Sequence, residues 1–275
     1  IRTKPGSDSM GFGTDSLSID RRREMLHIFE AGYYLLTGQP VPIKFVATLH
    51  TDSDYETIEV ERGRTPGTTN GLCCITTETK MEMPINAERS ISKVLGTMGH
   101  EAGHGRHRLL TVPESYAGIS QTIREAVGIT FGTAMVRTIG EYTGIEHINM
   151  ETEYPTATVF ESFWKRWGSN LDNSKKPHDR ARVLLWISIL KDPSLVHLKY
   201  EIESAGYLSA QSLLLLTDHF GNMTAEQSND YINKYLTPEN MAAIKDFAKI
   251  KMSSRTTTNL SDSLIDSNWE AWRVP

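Results

Sequence analysis

The chain has 275 residues, 39% of them hydrophobic and 23% charged, which is the composition of an ordinary globular protein with room for a sizeable core. A formal net charge of -5 gives no electrostatic reason to expect a nucleic-acid partner and is too small to predict a basic substrate. No apolar run reaches the roughly 18–20 residues that span a bilayer, so no membrane span is expected.

The two cysteines, Cys73 and Cys74, are adjacent, and neighbours seldom bridge because the short ring strains disulfide geometry. The chain is therefore no disulfide scaffold, which suits a reducing compartment and a bridge-free secreted enzyme equally. It opens at Ile1 with neither an initiator Met nor a charged-then-apolar leader, as a processed or trimmed product would. Compartment and oligomeric state stay open.

Residues 1–17, rich in Gly, Ser and Asp, read as a loosely held arm. Ser18 is the expected N-cap of a helix over Ile19–Thr37, with Leu26, Phe29, Ala31, Tyr33 and Leu36 turned inward and Gly38 ending it. Val41–Leu49 and Thr57–Arg62 read as strands, and Pro66-Gly67 and Asn70-Gly71 as turns. Cys73–Ile85 alternates in part and reads as an edge strand that Pro84 ends. From Ser90 the apolar period turns helical through Ile91, Val94, Leu95 and Met98 into His100-Glu101-Ala102-Gly103-His104, and Pro113 breaks that helix. A second helix is expected from Ser115 to Thr138. Beyond Gly144 the pattern is almost all helical: Thr156–Trp167, Asp179–Leu190, Ser209–Phe220, Ala225–Tyr235, and Pro238–Lys251 with Thr237 as its cap. The tail, 253–275, is Ser/Thr-rich as far as Trp269 and Trp272, which read as packing residues.

This order predicts an α+β fold. A small mixed sheet with a backing helix and the motif helix fills an N-terminal subdomain over 18–112. A mostly helical C-terminal subdomain covers 113–275, with a cleft between the halves.

His100-Glu101-Ala102-Gly103-His104 matches the pattern His-Glu-x-x-His on a helix. Positions i and i+4 differ by about 40° around the axis and about 6 Å along it. Both imidazoles can then reach one metal ion at about 2.0–2.1 Å. Glu101 lies about 100° away, beside the ion, where a base can take a proton from the attacking water. Catalytic zinc usually takes three protein ligands. His107 shares the face but lies about 10.5 Å along the axis from His100, too far for the same ion. Leu110 stands where the metzincin pattern needs its third His, which rules that subclass out.

The segment Arg124-Glu125-Ala126-Val127-Gly128-Ile129-Thr130-Phe131-Gly132-Thr133 resembles that of a known family, the gluzincins, and within them the thermolysin-like peptidases. Their pattern, Asn-Glu-Ala-x-x-Asp-x-Phe-Gly-Thr, matches at Glu125, Ala126, Phe131, Gly132 and Thr133. The resemblance implies a zincin-like fold, a Zn2+ ion held by His100, His104 and Glu125, Glu101 as general base, and a peptide or protein substrate. It implies further that Tyr116, nine positions before Glu125, stabilises the transition state, and that a downstream His donates to the oxyanion. His178, His197 and His219 are the candidates, with His178 preferred because it opens a helix. Two features depart from the pattern. Glu125 follows His104 one residue later than in the family, and Ile129 replaces the Asp that would orient the first His. The likeness is close over 100–133; over 19–99 it extends only to the order of elements.

Two alternatives remain beside the peptidase reading. A non-hydrolytic binding protein on a zincin scaffold is motivated by Ile129. Membrane-anchored ATP-dependent peptidases share His-Glu-Ala-Gly-His and take a distant Asp as third ligand, although neither an ATPase segment nor an anchor is visible here. The edge strand in 73–85 is expected to accept an extended substrate by strand addition, with Met81 and Met83 in the core.

Overall fold

Helix α1, Ile19–Thr37, follows the expected span. Leu26, Phe29, Ala31 and Tyr33 are buried, and Leu36 is packed partly against them. Gly38 ends the helix at φ +69, its N–H donating to the Tyr34 carbonyl at 2.7 Å; only glycine takes this left-handed position without a Cβ penalty. The structure is a computed structural model, and it describes residues 19–67, 69, 71–72, 74–77, 80–88, 91–110, 113–143, 177–205 and 208–240. The expected arm over 1–17, the Ser18 cap, the helix over Thr156–Trp167 and the tail lie outside these residues. Of the helix expected over Pro238–Lys251, residues 238–240 are described and are helical.

The sheet has three strands in the order β1-β3-β2: β1 is Phe45–His50, β2 Cys74–Thr77 and β3 Lys80–Asn86. β1 and β3 are parallel, from Phe45 opposite Met81 to His50 opposite Asn86, and β2 is antiparallel to β3. This corrects three expectations. The first strand begins at Phe45 rather than Val41. The stretch read as one edge strand is two, and its second part is the central strand, leaving only β2 at that edge. Pro84 does not end it. The Met81 N–H donates toward β1, to the Lys44 carbonyl at 2.8 Å, so by strand alternation the missing N–H of Pro84 faces the β2 side. There the Leu72 N–H still donates to the Pro84 carbonyl at 3.2 Å and Gly71 bridges Ile85, so pairing runs on past the proline, which forgoes only the bond its own N–H would have made.

The span Thr57–Arg62, read as a strand, is the second half of helix α2, Asp52–Glu61. Thr51 caps that helix by accepting from the Asp54 N–H, and Asp52 and Asp54 sit in its first turn, where carboxylates suit the helix dipole. The fully buried Glu59 carboxylate accepts from the N–H of Gly67 at 2.6 Å and of Thr69 at 2.8 Å, and from the Thr69 hydroxyl at 2.6 Å. The Tyr55 hydroxyl meets that of Thr69 at 2.9 Å. This pins the connection that runs on to Gly71, which bridges Ile85 of β3.

The motif helix α3 is Ile91–Leu110. The single helix expected over Ser115–Thr138 is two, α4 (Pro113–Gly118) and α5 (Gln121–Thr143). The break is held from outside, since the Ser120 N–H donates to the buried Ser228 hydroxyl at 3.0 Å. Then come α6 (Pro177–Lys191), a 3-10 turn over Pro193–Leu195, α7 (Val196–Ala205), α8 (Ala210–Gly221) and α9 (Ala225–Tyr235). The α6, α8 and α9 spans agree with expectation to within two residues, whereas α7 was not foreseen. Ser209 caps α8, and Thr224 with Gln227 forms a capping box on α9.

Among the described residues the fold is mostly helical with a small mixed sheet, an α+β arrangement, and no helix is long and apolar enough to cross a membrane. Two apolar cores form. One packs α1, the Phe45/Ala47/Leu49 and Met81/Met83/Ile85 faces of the sheet, α3, and the Phe131, Met135, Val136 and Ile139 positions of α5. Met81 and Met83 thus lie in the core. The other packs α4, Ile123, Ala126, Val127 and Ile129 of α5, and the helices from α6 onward. Helix α5 is buried on nearly every side because it serves both cores.

Glu59→Ala is expected to lower unfolding stability by about 3 kcal/mol, because it strands buried donors that now share one carboxylate. Urea titration of the purified chain measures this, and a loss below about 0.5 kcal/mol would contradict the pinning.

Candidate metal centre

Helices α3 and α5 meet backbone to backbone. A Cβ on Gly132 would stand 2.7 Å from the Gly96 carbonyl oxygen and 2.8 Å from the His100 nitrogen. One on Gly103 would stand 2.9 Å from the Phe131 Cβ and 3.1 Å from the Gly128 Cα. Spacings of four put Gly99 with Gly103, and Gly128 with Gly132, on single faces of their helices. Only glycine allows this approach, and it brings the α5 backbone under the two motif histidines. At Gly128 a Cβ would lie 2.8 Å from His100 Cε1 and 2.9 Å from His104 Cε1, so that residue is the floor beneath both rings.

On that floor the expected ligands converge. His100 Nε2 and His104 Nε2 are 3.0 Å apart, and Glu125 Oε2 is 3.3 Å from the first and 3.4 Å from the second. Ligand atoms each about 2.0–2.1 Å from one tetrahedral zinc would stand about 3.3 Å apart. The three atoms therefore make a triangle of the right size for one face of such an ion. Glu125 Oε2 is a buried oxygen with no hydrogen bond of acceptable geometry, although imidazole nitrogens surround it. Nitrogens this near that do not aim at the oxygen suit a shared target instead. Among the described residues this is the group of His, Cys, Asp or Glu side chains able to hold a metal, with ligand atoms all within 4.8 Å of one another.

The electrostatics agree. Burial pushes the Glu125 carboxyl up, but the facing His100 and His104 imidazoles outweigh this and hold it far below the usual carboxylate range. The group is ionised, as a ligand must be. Its other oxygen, Oε1, accepts from Gln121 Nε2 at 2.6 Å, one turn earlier on α5.

The remaining candidates divide. Glu101 is buried on the sheet side of α3, its Cγ lying 3.1 Å from where a Cβ on Gly71 would be. His178, from the first turn of α6, reaches the cluster: its Nε2 is 3.0 Å from Glu125 Oε2, and its ring stacks on that of His100 at 5.1 Å and 15°. Its side chain is 48% exposed, so it marks the solvent side of the centre. Tyr116 instead packs edge-on to His107, with ring centroids 5.1 Å apart. The guanidinium carbons of Arg108 and Arg124 lie 5.5 Å and 5.2 Å from its ring. His107 is buried there, outside the ligand group, and burial, then the charges of His104 and Arg124, push its imidazole down to about 4. His197 is exposed on α7, and His219 pairs with Asp192 at 3.5 Å, edge-on to Tyr231. Ile129 is buried in the helical core and offers no acceptor. Gln121 and Gly128 were not foreseen; their signal is position, four before and three after Glu125 on one helix.

Comparison with protein-family models, with curated proteins and with solved structures finds no match for this chain.

Two glycine replacements separate fold from site. A methyl at Gly128 meets the two rings, so Gly128→Ala should keep its helical circular dichroism and bind Zn2+ at least about tenfold more weakly. A methyl at Gly132 meets backbone, so Gly132→Ala should lose about 1–3 kcal/mol of stability as an overpacked site. Zn2+ titration calorimetry and thermal melts read the two effects. Undiminished Zn2+ affinity in Gly128→Ala would show that it is not the floor of the site.

Proposed function

We propose that the chain is a zinc-dependent peptidase on a zincin-like scaffold, with His100, His104 and Glu125 as ligands and Glu101 as general base. The observation that carries this reading is the three-atom triangle, made by a His-Glu-x-x-His helix and a carboxylate from the next long helix. A motif match alone supplies two ligands and a base; the third arrives from a separate element at ligand distance. Zinc bound there would supply a Lewis acid and lower the pKa of a water it holds toward about 7.

The chain's own residues would do the rest. Glu101, one position along from His100, takes the proton of the attacking water and passes it to the leaving amine nitrogen. Glu125 stays ionised, and Gln121 fixes its rotation. His178, on the solvent side of the cluster, is the candidate donor to the oxygen on which charge develops, an effect of a few kcal/mol. Tyr116 would join it only by turning away from His107, so it carries less of the proposal. The substrate is a peptide or protein.

The test combines metal analysis with peptide hydrolysis. Glu101→Gln should retain one equivalent of Zn2+ and lose hydrolysis of a mixed peptide library about a hundred- to ten-thousand-fold, whereas Glu125→Ala should lose the metal. Hydrolysis undiminished in Glu101→Gln would sink the assignment. Metal binding by the unaltered chain with no turnover of any peptide would favour the inert scaffold that Ile129 suggests. Chelation should also lower the melting temperature, since an ion held at a hundred times its Kd stabilises the folded state by about 2.7 kcal/mol.

A further inference from the structure

We propose that His178 is a positioning residue of the metal centre, bracing His100 and Glu125 against each other from a third helix. This rests on the metal reading above and adds to it a role that the motif does not contain. The His100 ring is closed below by the α5 backbone at Gly128 and on one face by the His178 ring, 5.1 Å away and 15° from parallel. Its rotation is thereby limited from two elements. The same His178 sets Nε2 3.0 Å from Glu125 Oε2, by close approach rather than an aligned hydrogen bond, while Gln121 holds Oε1, so the carboxylate is bounded at both oxygens. His104 shares the glycine floor, and the ring stacked on His100 is that of His178. Ligand geometry has to hold within about 10–20° for a site to work, and supporting partners of this kind are worth about 10–100-fold in metal affinity.

The brace has a rigid mount. His178 lies in the first turn of α6, whose Ala181, Val183, Leu184 and Leu185 are buried in the helical core. It is not itself one of the converging ligands, because those whose atoms lie within 4.8 Å of one another are His100, His104 and Glu125. His178 ties the helical core to the metal site, as Gly128 and Gly132 tie the two long helices.

The test is the Zn2+ dissociation constant of the full chain, measured by competition with a chelator of known affinity. His178→Ala should bind Zn2+ about 10–100-fold more weakly. His178→Phe keeps a ring on His100 but loses the contact with Glu125, and should fall between. Because His178 is half exposed, the metal-free melting temperatures of the three proteins should agree, which separates this effect from unfolding. The Co2+-substituted absorption spectrum should keep its band positions and intensity in His178→Ala. An unchanged Kd with only turnover lost would overturn the proposal, since His178 would then act on substrate alone. A changed Co2+ coordination spectrum would overturn it by making His178 a ligand. If the unaltered chain binds no Zn2+, the metal reading fails and this inference with it; an unaltered affinity in His178→Ala defeats the brace alone.

Discussion

The contact on which the rest depends is the crossing of α3 and α5, where glycines on both helices let main chain touch main chain. Side chains normally hold packed helices 8–10 Å apart. Here a Cβ at Gly99, Gly103 or Gly132 would stand within 3.0 Å of an atom of α5 or α3. Mid-helix glycine costs roughly 0.5–1 kcal/mol relative to alanine, and the crossing spends several of them. The return is geometric. The close crossing sets Glu125 Oε2 within 3.4 Å of both Nε2 atoms on α3, and Gly128 leaves space for both imidazoles over its Cα. Stability is given up along this seam so that one carboxylate and two rings can share a point.

Helix α5 can hold that position because it is buried from two sides. Phe131, Met135 and Val136 face the core that includes the sheet, while Ile123, Val127 and Ile129 face the helical core. A helix clamped between two close-packed cores has little freedom to slide or rotate. The polar cluster lies between those cores, with His100 and Glu125 each 5% exposed. Apolar walls on both sides limit water, and in such surroundings each electrostatic interaction is stronger than in bulk solvent. The low-lying Glu125 carboxyl follows from this: burial raises it, and the imidazoles facing it outweigh that.

How much of this was legible depends on whether the signal was local. His100 and His104 were, since an i, i+4 pair on an apolar-periodic helix needs nothing from outside that helix. Glu125 was legible through the likeness of its segment. Gly128 and Gly132 carried no such mark, because a glycine inside a helix reads as a cost until its partner helix is known. The helix α2 was misread because Thr57, Ile58, Glu59 and Val60 alternate like a strand. The contrary evidence lay upstream, in Thr51 with Asp52 and Asp54, a cap and an acidic first turn. The sheet hairpin was missed because Glu78-Thr79, between β2 and β3, contains none of the usual turn residues. Helix α7 was missed although Leu198 and Ile202, both buried, stand four apart. Tyr116 was chosen by offset from Glu125, and offset does not determine which neighbour a ring finds; here Arg108, Arg124 and His107 surround it.

Ile129 shows how the site is divided among elements. Four positions after Glu125 on α5, it might have carried a polar group to orient a ligand, yet it is buried among Ile123, Leu184 and their neighbours in the helical core. An acceptor there would need a partner inside that core or would cost stability by going unsatisfied. With α5 committed to apolar packing at that point, ring orientation has to come from elsewhere. Among the described residues the start of α6 reaches the cluster from the solvent side, where the half-exposed His178 imidazole meets water at little cost. Helix α5 thus supplies the floor and the carboxylate, α3 supplies the two rings, and the start of α6 stacks the His178 ring on that of His100.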